Sequence, residues 1–161
     1  MKLLRFPNKR LRAKVLAQHY FKCGNFAGVV CFSCGNASKA LKDEGLPVVD
    51  ISPSGDLEAR KWFGAADIQR AFPNFLDATS GHLPPHLLKL VAAEFRAHLG
   101  ELDGEHYAVP TGSGETLLAL CMAYPQKWFS PVYDDSNPAT TYEPEAPLNA
   151  LVLRASGAPA K

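Results

Sequence analysis

Val109-Pro110-Thr111-Gly112-Ser113-Gly114-Glu115-Thr116 joins an extended polar run ending His106-Tyr107-Ala108 to an apolar segment, Leu117 to Ala123. A strand, a glycine turn and a helix in that order aim backbone N–H groups and a helix N-terminus at one point, where an anion such as phosphate is favoured. Gly112 and Gly114 permit close backbone approach, and Thr111, Ser113 and Thr116 add hydroxyl donors. Two other stretches hold groups suited to chemistry. Lys9 stands at a helix start among Arg10, Arg12 and Lys14, and Ser33-Cys34-Gly35-Asn36 forms a turn after an apolar run. Cations in a first turn oppose the helix dipole, so one of the four is expected to serve chemistry while the rest form a solvated face. Asn36 reads equally as a plain helix N-cap.

These stretches need elements to hold them. Pro7-Asn8 signals a helix start, and Leu11, Val15, Leu16 and His19 have helical spacing over Lys9–Tyr20. Ala27–Ser33 is a continuous apolar run of strand length. Ala37–Glu44 reads as a helix with Ala37, Ala40 and Leu41 on one face, closed by Gly45, and Leu46–Ile51 reads as the next strand. This β-α-β unit, taken as buried on both sides, predicts a parallel sheet. Short helices are expected over Leu57–Phe63 and Ala66–Phe72, then a polar loop over Asp77–His82. Pro84–Leu99 carries the clearest helical pattern, ending at Gly100. Beyond the glycine turn, Trp128–Tyr133 reads as a strand, Asp134–Pro147 as a loop and Leu148–Leu153 as a last strand, with fraying from Ala155.

Composition bounds the setting. With 161 residues, 47% hydrophobic, the chain is long enough for one compact α/β domain over 1–161, a division into lobes near 1–75 and 76–155 remaining open. Seventeen basic against sixteen acidic side chains give no nucleic-acid signal. No run approaches the ~20 apolar residues of a membrane span, and the charged Met1–Phe6 start is too short for a signal peptide. Cysteines 23, 31, 34 and 121 are therefore expected as reduced thiols in a cytoplasmic protein.

Asn8-Lys9-Arg10-Leu11-Arg12, Ser33-Cys34-Gly35-Asn36 and Val109–Thr116 follow one another in an order that resembles fold-type II pyridoxal-phosphate enzymes, the group of cysteine synthase, threonine synthase and aminocyclopropane-carboxylate deaminase. The first looks like that family's "NKxRK" lysine segment, the second like its "SxGN" turn, and the third like its "VPTGSGGT" phosphate loop. The resemblance touches roughly residues 8–52 and 95–122. It implies a shortened, tryptophan-synthase-β-like architecture, a mostly parallel sheet flanked by helices. It implies pyridoxal phosphate as cofactor, Lys9 as catalytic imine former, and Asn36 with Ser33 at the ring. Thr111, Gly112, Ser113, Gly114 and Thr116 would hold the phosphate. Thr79-Ser80-Gly81-His82 becomes the substrate-side loop, and the reaction an elimination, replacement or deamination of a small amino acid. Such enzymes run near twice this length, so a homodimer partner is expected to supply what is missing. Glu115 replaces a glycine of the family loop, and the residue facing the pyridine nitrogen is unidentified, Thr140 and Thr141 being candidates by position.

Other readings stand beside this one. A binding or regulatory protein could keep the scaffold and lose the cofactor. Pro110–Thr116 differs from a helicase-like PTGSGKT by Glu115 in place of the phosphate-gripping lysine, which opposes a nucleotide. Cys31-Phe32-Ser33-Cys34 is a C-x-x-C of thiol redox type, but Cys31 is expected inside a strand as a core side chain. Cys23 with that pair lacks a fourth zinc ligand. Asp77, Thr79, Ser80 and His82 suggest a hydrolytic set, yet capping of the next helix explains them as well.

Overall fold

The computed structural model describes residues 6–31, 36–51, 65–79, 83–111 and 114–132. The expected helix at Leu57–Phe63, the loop from Asp134 and the strand at Leu148–Leu153 lie outside them. The chain is of mixed α/β class, with two small parallel sheets and flanking helices, and divides into two compact units. One unit is Pro7–Leu87; the described part of the other is Phe6 with 88–111 and 114–132.

In the Pro7–Leu87 unit, α1 (Asn8–Cys23) begins directly after Pro7 and stops at Gly24, whose φ of 66° and N–H bond to the Tyr20 carbonyl form a left-handed cap. Its inward stripe is Arg12, Ala13, Val15, Leu16 and Ala17, and it packs on α2 (Asn36–Asp43). Between them in sequence comes β1 (Gly28–Cys31), buried along its whole length. Helix α2 ends in a Schellman turn. The Leu46 N–H reaches the Leu41 carbonyl and the Gly45 N–H reaches that of Lys42, with Gly45 at φ 84°. Strand β2 (Val48–Asp50) then pairs in parallel with β1, as the β-α-β pattern requires. Burial on both sides does not hold for β2: it is the outer strand of its sheet and leaves Val49 exposed.

After α3 (Ala65–Ala71) comes β3 (Phe75–Asp77), parallel to β1 on its other side, so the sheet order is β2-β1-β3. The sequence pattern places Asp77 in a loop. It is instead the last residue of a strand too short, with only Leu76 buried, to show alternation. Val30 and Ile68 are both buried, with Ile51, Phe72 and Phe75 packed around them.

The division falls inside α4 (Pro85–Leu99), which buries Leu87, Leu88, Val91, Ala92 and Phe95 and ends at the left-handed Gly100. In the second unit β4 (His106–Pro110) and β5 (Trp128–Val132) pair in parallel, joined by α5 (Glu115–Ala123). Phe129 is buried between the Tyr107 and Tyr124 rings, at 5.9 and 6.3 Å, and Phe95 meets the Phe6 ring edge at 5.0 Å.

Candidate functional site

The order β2-β1-β3 makes a switch point. The chain leaves the carboxyl end of β1 toward β2 on one side, and β3 lies on the other. In open parallel sheets the crevice outside the carboxyl ends at such a point is where ligands bind. The β1 exit runs through 32–35 to Asn36, the first residue of α2 and exposed there. Ser33 lies outside the described residues. Asn36 inside the first helical turn displaces it from the N-cap position by one residue, within the scatter of helix boundaries.

The β3 exit is held by three side-chain hydrogen bonds, two to Asp77 and one from Arg12. Asp77 Oδ1 accepts the Thr79 N–H at 2.9 Å and the Thr79 hydroxyl at 2.5 Å, with Thr79 fully buried. From α1, the Arg12 guanidinium donates to the Ala78 carbonyl at 2.7 Å. Ser80, Gly81 and His82, expected on the substrate side, lie outside the described residues.

Among the four cations of the first α1 turns, Lys9, Arg10 and Lys14 are exposed and Arg12 is buried. The resemblance points to Lys9 and not to Arg12, although Arg12 falls on the same helical stripe as Val15, Leu16 and His19. Its bond to Ala78 sets the start of α1 beside the β3 exit, and Lys9 stands one helical turn earlier. Lys9, Asn36 and the Thr79 strap thus belong to elements that meet the same carboxyl edge of one sheet.

The glycine turn occupies the equivalent position in the other unit, at the carboxyl end of β4. Thr111 is buried; its N–H extends the ladder to the Val132 carbonyl at 2.9 Å, and its hydroxyl donates to the Val109 carbonyl at 2.8 Å. Gly112 and Ser113 lie outside the described residues. Gly114 has φ 91°, a conformation in which a Cβ is strained, and it precedes the first turn of α5, closed by the Leu118 N–H on the Gly114 carbonyl. Glu115 is buried at 7% exposure, and Thr116 is half-buried. A carboxylate in a first helical turn is favoured by the dipole, whatever it costs an incoming anion.

The described thiols separate clearly. Cys31 and Cys121 are buried and Cys23 is exposed, and burial pushes the Cys121 thiol up to about 11. Cys31 is thus a core residue of β1, while Cys34 lies outside the described residues. At the end of α1, Cys23 Sγ lies 3.7 and 3.8 Å from the two ring nitrogens of His19. Near-equal distances centre the sulfur between the two nitrogens, in a polar contact at the helix end. Burial, then the charges of His86 and Lys22, hold His19 below the usual histidine range. Among the described residues no group of three or more His, Cys, Asp or Glu side chains could hold a metal, and no helix is long and apolar enough to cross a membrane. No family model matches the chain, and neither a curated protein nor a solved structure matches it.

Proposed function

We propose that the chain binds pyridoxal phosphate and acts on a small amino acid by elimination, replacement or deamination, working as a homodimer in a shortened fold-type II architecture. One observation supports this reading above the others: the start of the Lys9 helix, Asn36 and the Thr79 strap are elements of one sheet edge at a switch point. The donor set suits the cofactor. A primary amine is the group that condenses with its aldehyde, a side-chain amide suits its ring hydroxyl, and a turn with Gly114 at φ 91° before a helix start suits its phosphate. When bound, the cofactor supplies the electron sink for chemistry at the α-carbon. The part of the Pro7–Leu87 unit is to anchor it through Lys9, orient it through Asn36, and move the substrate proton with the lysine amine.

A second reading is favoured by one specific residue. Glu115, buried where the family loop has glycine, puts a carboxylate beside a phosphate site and suits a scaffold that binds a partner without the cofactor. Titration with pyridoxal phosphate separates the two. An absorbance band near roughly 410–430 nm, as lysine imines of this cofactor give, that disappears in Lys9→Ala supports the enzyme. A band surviving in Lys9→Ala moves the role to Lys14 or Lys22. Its absence from the wild-type chain supports the scaffold.

A further inference from the structure

Arg12 is a cation in a place where packing asks for an apolar side chain. It sits among the buried residues of α1, 9% exposed. Burying a guanidinium costs desolvation that a methionine or leucine at this position avoids, so its presence needs a return in what it holds. It holds the Ala78 carbonyl, through a charge-assisted bond of 2.7 Å. That carbonyl is itself fixed in direction, because the residues on either side are joined by the Asp77–Thr79 side-chain and backbone bonds. A rigid strap and a rigid helix start are therefore clamped to each other through one guanidinium.

Lys9 precedes Arg12 by one turn, about 4.5 Å along the helix axis, and emerges from the clamped end. The clamp fixes the point on the backbone from which the exposed Lys9 side chain starts. We propose that Arg12 is a positioning residue for Lys9: by gripping the Ala78 carbonyl it fixes the amine's helix against the strap that leaves β3. This rests on the pyridoxal-phosphate reading, and adds to it a residue that touches neither cofactor nor substrate.

The experiment compares the full chain with Arg12→Met and Arg12→Lys. The readouts are stopped-flow growth of the imine band with pyridoxal phosphate as probe, amide hydrogen exchange over residues 77–79, and far-UV circular dichroism. Displacement of a reacting group by about 1 Å costs on the order of a hundredfold in rate. Arg12→Met should keep the secondary structure, lose protection in the strap, and form the imine at least about tenfold more slowly. Arg12→Lys, which keeps a charged donor on a shorter fork-less stem, should recover most of that rate. An unchanged imine rate in Arg12→Met overturns the proposal. So does a slowing in both variants that merely follows their fraction unfolded. A wild-type chain that gives no band removes the cofactor reading itself and this role with it, a result distinct from a wild-type band that Arg12 leaves untouched.

Discussion

Gly28 is where the sheet of the Pro7–Leu87 unit is least tolerant of added atoms. It opens β1, pairs in register with Phe75 of β3, and donates its side of the strand to that ring. A Cβ built there would lie 2.7 Å from Phe75 Cε2 and 3.1 Å from the Pro47 carbonyl oxygen. The ring is packed against Val30 and Ile68 and meets the Phe72 ring edge at a centroid distance of 5.3 Å. The Pro47 carbonyl is held in place by the Val29 N–H at 2.8 Å. Overpacking of this kind costs about 1–3 kcal/mol, and replacing glycine returns about 0.4–1 kcal/mol through the unfolded chain. Gly28→Ala should therefore be destabilised by about 1.3 kcal/mol, the difference of the midpoints of these two terms. For a unit of this size that lowers Tm by roughly 5–10 °C. Equilibrium urea unfolding measures it, and a cycle with Phe75→Leu tests the cause. Leucine lacks the Cε2 atom, so the double variant should recover about 1 kcal/mol relative to additivity, the range of contacting pairs. Additivity within about 0.5 kcal/mol would refute the clash with Phe75.

Two further expectations concern titration and thiol chemistry. His19 is held below its ordinary range in the folded chain, so on acidification the unfolded chain takes up its proton first. Its contribution to stability is full above the unfolded value near 6.5 and is lost as pH falls from there through the folded value. Urea midpoints of wild type and His19→Gln, compared at neutral and mildly acidic pH, should show the wild type losing ground on acidification; a constant difference would remove burial of the neutral ring as the cause. Of the three described cysteines, Cys23 should react with a maleimide in the native chain, whereas Cys31 and Cys121 should react only on unfolding. Mass mapping of the labelled peptides checks this, and rapid native labelling of Cys121 would contradict its burial.

What could be read from residue patterns followed the strength of local signals. Helices α1, α2 and α4 announced themselves through apolar spacing and through Gly24, Gly45 and Gly100, whose positive φ closes each one. Strand β1 was legible because it is central and apolar throughout, and β5 because it follows the break at Pro125. Strand β3 was not. Three residues with one buried side chain carry no period, and only its pairing with β1 defines it as a strand. The same omission hid the switch point, since the order β2-β1-β3 depends on β3. Local pattern also misjudged β2, because burial of an outer strand depends on which neighbours reach it. For the candidate site, the residue types around Lys9 and Asn36 were visible from spacing. Arg12's grip on Ala78 spans 66 positions of sequence and has no local trace beyond an odd cation on an apolar stripe.

The central claim is that Lys9 carries the cofactor, and borohydride reduction followed by peptide mapping addresses it most directly. The full chain, incubated with pyridoxal phosphate and reduced, should carry one stable label of about one cofactor per chain, as expected for a single lysine imine. That label should fall on the peptide containing Lys9. A label on Lys14 or Lys22, one scattered over many surface lysines, or none at all would contradict the account.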